Sequence, residues 1–178
     1  MNNIKEYRLN TQDLKDNIEL LQAGDKVLLS GVVFTARDAA HKKITDLILN
    51  NQPLPFDLTD SVIYYAGPTP APSNLPIGSC GPTTSSRMDA FAPILLDNGL
   101  RAMIGKGDRA DSVYNSIIKN KSVYFVALGG GGAIAAKSVI SAEIIAFEEL
   151  GCEAVRKLEI QNFPLIIAID SKGNSIYK

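Results

Sequence analysis

Short apolar runs of β type alternate with helical patterns through the middle of this chain, and this alternation restricts the fold more than any other feature. The run Lys26–Thr35 (KVLLSGVVFT) has the composition of a buried strand, and Gly31 within it predicts a bulge or a close backbone approach. A helix is predicted over Ala39–Asn50, where apolar residues recur on one side. The alternation continues with strand Arg101–Ile104, helix Ala110–Lys119 and strand Val123–Leu128. It predicts an α/β domain with a mixed sheet.

Weaker patterns predict the remaining elements. Those before residue 100 are strand Glu6–Leu9, a helix capped by Thr11 and ended by Gly24, strand Ser61–Ala66, and a helix from Thr83 or Thr84 to Asn98-Gly99 that Pro93 kinks or shortens. Those after it are a long helix from the glycines 129–132 to Leu150-Gly151, strands Ala154–Ile160 and Leu165–Asp170, and a last short strand to Tyr177.

Size and charge exclude several classes of protein. With 178 residues, the chain predicts one domain over positions 1–178 with a sizeable core. A net charge of −1 provides no basic surface for nucleic acid or for an anionic membrane, and no apolar run is long enough to span a bilayer. The polar N-terminus and the two distant cysteines, Cys80 and Cys152, suggest a cytoplasmic protein without a disulfide framework.

Three junctions between a strand and the following helix each carry a cation, namely Arg37, Arg87 and Lys106. If the strands are parallel, such junctions meet at the carboxyl edge of the sheet, where α/β proteins bind ligands. A cation in the first helical turn opposes the helix dipole, which suggests that an anion is bound there. Two arginines and a lysine suit a ligand with two carboxylates. The alternative is that Arg37 beside Asp38, or Arg87 near Asp89, is an ordinary ion-paired surface residue.

The stretch Gly81–Ser86 (GPTTSS) has more hydroxyl groups than one helix cap needs, so the others could bind a ligand. His41, the only histidine, lies on the same helix face as Arg37 and is either bonded to a nearby backbone group or catalytic. The glycines 129–132 and the sequence GKGD match neither the GxGxxG fingerprint nor a P-loop. Two cysteines are too few to hold an iron–sulfur cluster, and each is expected to be free and packed.

The motifs, in order, resemble the β subunit of class I fumarases and L-tartrate dehydratases, a module that also forms the C-terminal part of the single-chain enzymes. The matching strings are VLLSGVVFTARDAAHKKI, YYAGP, GSCGPTTSSRMD, GKGD, GGGGAIAAKS and EIQNFPLIIAIDSKGN, from about Leu9 to Tyr177. The resemblance implies a swivelling β/β/α domain that docks on a larger α subunit, plausibly as an α2β2 assembly. The α subunit would carry the [4Fe–4S] cluster, and this chain would be active only with it.

Matching the motifs residue by residue assigns roles to several positions. Arg37, Arg87 and Lys106 would bind the substrate carboxylates. Thr83 would occupy the place of a proton-transferring hydroxyl that works with an acid of the α subunit. Thr84 would be a further substrate contact. Three residues would support the site, namely Asp38, His41 and Gly81.

The resemblance favours reversible hydration of fumarate to malate, with L(+)-tartrate dehydration as the alternative. Two readings from other classes stay open. One is a non-catalytic module that kept the dicarboxylate pocket, and the other is a nucleotide-binding domain that uses Gly129–Gly132.

Overall fold

The computed structural model describes residues 4–127 and 131–178, and within these ranges it contains seven strands and five α-helices. The strands are β1 (Glu6–Asn10), β2 (Lys26–Thr35), β3 (Val62–Tyr64), β4 (Ala102–Gly105), β5 (Val123–Ala127), β6 (Val139–Ala146) and β7 (Val155–Ile169). The helices are α1 (Leu14–Asn17), α2 (Asp38–Leu49), α3 (Ala92–Asp97), α4 (Asp111–Asn120) and α5 (Gly132–Ser138). Short 3-10 segments cover Thr11–Asp13, Ile18–Leu20, Ser85–Met88 and Glu148–Glu153.

The strands form one mixed sheet that closes on itself. Strands β1 to β5 pair in parallel in chain order, whereas β7 runs antiparallel to both β5 and β2. The pairing of β2 with β7 closes a ring of five strands, β2-β3-β4-β5-β7, and leaves β1 and β6 outside it as edge strands. The predicted α/β domain with a mixed sheet is confirmed. Because β2, β3, β4 and β5 are parallel, their carboxyl ends lie at one rim of the ring.

A glycine bulge lets β2 change partners along its length. The amino half of β2 pairs with β1, and its last two residues pair with β3. Between these halves Gly31 has φ +111°, and the register with β7 shifts. A side chain at Gly31 would overlap Thr11, so the predicted bulge and the predicted close approach are both confirmed. Thr11 does not cap a helix, because its hydroxyl accepts from Val32 N at 3.1 Å beside the bulge; the Asn10 side chain caps instead.

The inner strands are buried on both faces, which explains their continuous apolar runs. Successive residues at the end of β3 belong to two different core clusters, Tyr64 to one and Tyr65, the residue after the strand, to the other. The cluster around Tyr65 packs the sheet against α2, α3 and α4, and the cluster around Tyr64 includes residues of α1 and α5. The sheet is therefore held from both sides, and its carboxyl rim has a rigid base.

Two predicted helices are wrong. The long helix after Gly132 ends at Ser138, because the isoleucine-rich stretch that follows forms β6 on the edge of β7. The predicted helix from Thr83 is a 3-10 turn, Ser85–Met88, followed by the separate α3. Pro93 lies in the first turn of α3, where its missing N–H group is tolerated, so it begins a helix rather than kinking one.

The C-terminal part is simpler than predicted. The two predicted strands between Ala154 and Asp170 are one 15-residue strand, β7, and Asn162 in it has φ +51°. The predicted last strand is a single bridge between Ile169 and Ser175. None of the helices in the described ranges has the length and hydropathy needed to cross a bilayer.

Candidate functional site

The loop between β3 and the Ser85–Met88 turn connects the ends of three neighbouring strands. It folds back onto β3 through a bridge between Ala66 and Pro82 and a bond from Thr83 N to Tyr65 O of 2.6 Å. It then reaches the end of β4, where Thr84 forms a bridge with Lys106. Beyond β5 the same loop touches the start of α5, since Cys80 N donates to Gly132 O at 3.1 Å.

Gly81 lies in this loop at the contact with α5. A Cβ atom at Gly81 would lie 3.6 Å from the Gly132 Cα, an ordinary contact, whereas one at Gly132 would meet Ser79 Oγ at 2.5 Å. Gly132 is therefore the position where a side chain is excluded. The nucleotide-binding alternative uses Gly129–Gly132, of which Gly129 and Gly130 lie outside the described residues.

Arg37 and Arg87 approach the same carboxylate, that of Asp38. Arg87 Nε donates to Asp38 Oδ2 at 2.8 Å, and Arg37 Nε lies 4.0 Å from Asp38 Oδ1. The Arg37 side chain is 22% exposed and that of Arg87 is 51% exposed, so the first is held in the protein and the second faces solvent. The ion pair between Arg87 and Asp89 that the sequence suggested does not form.

Only one of the three cations opposes a helix dipole in the predicted way. Arg37 is the N-cap residue of the 12-residue helix α2. Arg87 lies in the last turn of a 3-10 segment, and Lys106 lies in the loop before α4. The dipole argument therefore holds for Arg37 and is wrong for Arg87 and Lys106, which reach this rim because of strand order rather than helix position.

Lys106 is exposed beside the hydroxyl-rich turn. Its backbone bonds Ser85 twice, since Ser85 N donates to Lys106 O at 2.9 Å and Lys106 N donates to Ser85 Oγ at 3.0 Å. Within the described ranges the Lys106 side chain forms no ion pair. Its ammonium group therefore has no protein carboxylate to compete with an anionic ligand.

The three hydroxyl residues of the turn have different environments. Ser85 is buried and structural, because it also accepts from the Tyr124 hydroxyl at 2.8 Å. Thr84 occupies the N-cap position of the turn but its side chain makes no capping bond. Thr83 is half-buried, one residue before that cap. The Thr84 side chain is thus not used as a cap, and Thr83 does not occupy the N-cap position.

Arg109 is a buried residue of this region that the sequence reasoning did not single out. Its side chain is fully buried, and its Nε lies 2.7 Å from Asp89 Oδ1. The guanidinium carbon lies 5.3 Å from the Tyr65 ring centroid and 4.8 Å from that of Tyr124. The other Asp89 oxygen accepts from Ala110 N at 2.7 Å. This pair ties the loop that carries Lys106 to the turn that carries Arg87.

His41 is fully buried behind Arg37 and has the structural contact that the sequence left open. Its Nδ1 donates to Arg37 O at 2.9 Å, and its ring stands edge-on to Tyr65 with centroids 5.2 Å apart. Burial, with a smaller contribution from the charge of Arg109, lowers the pKa of His41 to about 4, although the hydrogen bond to Arg37 O opposes this shift. The imidazole is therefore neutral near pH 7, and Nε2 has no hydrogen-bond partner.

Glu153 is the second residue at this rim that the sequence reasoning missed. Its Oε1 lies 3.7 Å from Arg37 Nε, and it reaches Arg37 from the 3-10 segment before β7. The sequence placed this region directly after a long helix, and no local pattern indicates that it returns to α2. Only the pairing of β7 with β2 brings Glu153 there.

The two cysteines differ, and one prediction about them is wrong. Cys80 is buried, and burial raises the pKa of its thiol to about 12. Cys152 is exposed rather than packed, in a cleft of about 580 Å3 between the loop after β3 and β6. None of the three predicted cations lines this cleft. The described residues contain no group of three or more side chains that could hold a metal ion.

Comparison with known proteins gives one family and several relatives. The family model described as "Fumarase C-terminus" matches residues 1–178. The chain is 39% identical over 166 residues to fumarate hydratase 2 of Leishmania major, and 38% identical over 155 residues to the anaerobic class I fumarate hydratase of Escherichia coli K12. These matches cover 92% and 86% of this chain but 29% and 28% of the relatives, so the chain spans less than a third of their length.

A relative of similar length comes from Methanocaldococcus jannaschii. Its name assigns it provisionally as subunit beta of an L(+)-tartrate dehydratase. It is 42% identical over 179 residues, which cover 97% of this chain and 91% of the relative.

Proposed function

The chain belongs to the fumarase C-terminal family, and from this premise we propose that it is the substrate-holding β subunit of a hydro-lyase. The reaction would be the reversible addition of water across a carbon–carbon double bond, with fumarate and malate as the favoured pair. Activity would require a larger α subunit, in a proposed α2β2 assembly. The swivelling motion of the domain, its extent over 1–178 and a cytoplasmic location stay predictions.

The placement of three cations at one rim of the closed sheet is the observation that carries this proposal. Arg37 and Arg87 share Asp38, and Lys106 is bridged to the turn that precedes Arg87. A four-carbon diacid has two carboxylates, and guanidinium groups bind carboxylates in a bidentate geometry. The set therefore suits a small dicarboxylate better than a neutral ligand.

The same cations would assist the chemistry as well as binding. In the dehydration direction a proton leaves one carbon, and a hydroxyl group leaves its neighbour with the electrons of the broken C–O bond. Removal of the proton places extra negative charge on the adjacent carboxylate. Fixed cations stabilise that charge more than the charge of the ground state, so they act on kcat as well as on KM. We assign this role to Arg37, Arg87 and Lys106, with Thr84 as a further contact.

Thr83 is proposed as the proton-transferring hydroxyl. Its backbone N–H donates to Tyr65 O, one residue beyond the end of β3, and the N-cap position of the following turn belongs to Thr84 rather than to Thr83. A threonine hydroxyl is a weak base, so its alkoxide needs nearby positive charge and an acid of the α subunit. Asp38, His41 and Gly81 support the site: Asp38 by ion pairing, His41 through the Arg37 carbonyl, and Gly81 in the connecting loop.

The family resemblance implies a [4Fe–4S] cluster, and the residues of this chain do not fit one as ligands. Cluster irons bind cysteine thiolates, usually three or four. Cys80 is buried with a raised thiol pKa, and Cys152 lies on the surface in the separate cleft. We propose that the cluster is held by the α subunit, and the steps assigned here concern only the residues of this chain.

Anaerobic co-expression with the candidate α subunit tests the proposed function. The purified complex is assayed with malate, fumarate and tartrate isomers. We expect interconversion of fumarate and malate, and no activity of either subunit alone. A complex that forms but converts none of these acids would refute the hydro-lyase and favour a non-catalytic dicarboxylate-binding module.

The second candidate is L(+)-tartrate dehydration. The Methanocaldococcus relative supports it, because that relative matches this chain over nearly the whole of both lengths. The two candidates differ by one substrate hydroxyl, so the ratio of kcat/KM values for malate and L(+)-tartrate decides between them. NAD and ATP serve as control ligands, and we expect neither to bind.

A further inference from the structure

We infer that Glu153 is a positioning residue of this site. Its side-chain oxygen orients the Arg37 guanidinium by electrostatic attraction, and its negative charge reduces the positive charge that a diacid meets. The inference rests on the proposed function and adds to it a residue outside the recognised motifs. Glu153 lies at the end of the 3-10 segment Glu148–Glu153, and its Oε1 is 3.7 Å from Arg37 Nε.

Unpaired buried atoms concentrate around this contact. Seven buried side-chain nitrogen or oxygen atoms in the described residues have no hydrogen-bond partner. Three of them lie at this contact, namely Arg37 Nε, Asp38 Oδ1 and Glu153 Oε1, and a fourth is Nε2 of His41, whose other ring nitrogen donates to Arg37 O. Native proteins satisfy nearly all buried polar atoms, and the exceptions occur where a ligand or a strained function explains them.

The distances explain why these atoms are unpaired. Arg37 Nε is 3.7 Å from Glu153 and 4.0 Å from Asp38, so both carboxylates attract the guanidinium but neither accepts a hydrogen bond from it. Nε is the guanidinium nitrogen nearest to both carboxylates. The terminal nitrogens are therefore the ones left for a two-point contact with a substrate carboxylate.

The charges around Arg37 balance before a ligand arrives. Arg37 and Arg87 contribute two positive charges, and Asp38 and Glu153 contribute two negative charges, which sum to zero. Lys106 raises the total to one. A diacid brings two negative charges. Removal of the Glu153 charge alone would raise the net charge of the site to two positive charges, which equals the charge of the ligand in magnitude.

The segment that carries Glu153 provides a matched control. Glu149, in the same segment, pairs with Lys43 of α2 at 2.8 Å, and its side chain is 60% exposed. Both glutamates therefore join this segment to a cation at or beside α2. Only Glu153 does so at the rim, where its side chain is 27% exposed.

The test compares Glu153→Gln and Glu153→Ala with Glu149→Gln and Glu149→Ala in the assembled complex. The probe is succinate, a saturated diacid that cannot react, titrated calorimetrically, and malate turnover is measured in parallel. We expect Glu153→Gln to bind succinate about 3- to 10-fold more tightly, since one nearby negative charge is removed. Its amide oxygen still faces Arg37, so kcat should stay near that of wild type.

Glu153→Ala removes both the charge and the side-chain oxygen that faces Arg37, so Arg37 is no longer held. We expect its kcat to fall about 10-fold or more, because small displacements of a positioned group are costly in rate. The Glu149 variants should change succinate affinity and kcat by less than about 2-fold, since that pair is exposed and screened. Rescue of kcat by glutamine, together with tighter succinate binding, is a pattern that a purely structural role would not produce.

Two results would overturn the inference. One is a Glu153→Gln complex that binds succinate no more tightly than wild type, and the other is a folded Glu153→Ala complex with unchanged kcat. If the alanine variant does not fold, the succinate titration of the glutamine variant decides alone. A wild-type complex without hydro-lyase activity would refute the proposed function, whereas the succinate comparison would still test Glu153.

Discussion

Replacement of Arg109 by methionine is the sharpest test of how the rim is held. The Arg109 side chain is fully buried, and its partner Asp89 is 12% exposed. Arg109→Met keeps a long, unbranched side chain but leaves the Asp89 carboxylate without its cation. Removal of one partner of a buried ion pair costs about 3–5 kcal/mol. Loss of the cation–π contacts with Tyr65 and Tyr124 acts in the same direction.

We therefore expect the unfolding free energy of the purified chain to fall by about 4 kcal/mol. For a chain of this size that corresponds to a decrease in Tm of about 8–16 °C. Urea denaturation followed by circular dichroism measures the change for Arg109→Met, Asp89→Asn and the double variant. The double variant should lose less than the sum of the single variants, with a coupling of about 1–3 kcal/mol.

Arg101→Met is the matched control. Arg101 pairs with Asp60 before the start of β4, at the opposite end of the sheet, and the two side chains are 22% and 31% exposed. Its loss should reduce the unfolding free energy by only about 1 kcal/mol, as for a partly solvated pair. If Arg109→Met costs no more than Arg101→Met, the buried pair does not hold the loop of Lys106 to the turn of Arg87.

Three further predictions follow from the same structure. Arg87→Ala in the assembled complex should cost about 2–5 kcal/mol of transition-state stabilisation, measured from the ratio of kcat/KM values. It should change the unfolding free energy by less than about 1 kcal/mol, because the side chain is half exposed. A variant with near-wild-type kcat/KM would show that Arg87 does not bind the substrate. The pKa of His41 is about 4 in the folded chain and 6.5 in the unfolded chain. Above pH 6.5 its titration therefore does not change the unfolding free energy. As the pH drops from 6.5 to 4, the unfolded chain binds the proton first, and the unfolding free energy should fall by up to about 3 kcal/mol. His41→Asn keeps a donor for Arg37 O and should lack this part of the pH dependence in urea titrations; an identical profile would show that His41 titrates normally. Gly105→Ala should destabilise the chain by about 1–3 kcal/mol, because the new Cβ overlaps Ser85 Oγ and lies 2.9 Å from Tyr65. Unchanged stability in the same titration would mean that Ser85 can move to accommodate the methyl group.

The sequence predicted correctly those helices and strands whose pattern of apolar residues can be recognised without knowledge of a distant segment. Strand β2 was predicted with its observed bounds, and α2 and α4 differ from the prediction by one residue at each end. The stretch after Gly132 was misassigned because its isoleucines become a strand only when β7, further along the chain, pairs with them. Pairing with a distant strand leaves no trace in local periodicity.

For the site, the sequence by itself determined the residue types and the loops that carry them. Arg37, Arg87 and Lys106 follow consecutive strands, and parallel pairing is enough to bring them to one edge. Their ionic partners were decided only by the tertiary structure. Arg87 pairs with Asp38 rather than Asp89, Asp89 pairs with the buried Arg109, and Glu153 reaches Arg37 through the closure of β7 on β2. Attraction between charges depends on distance in space and on burial, and closure of the sheet sets both for residues far apart in the chain.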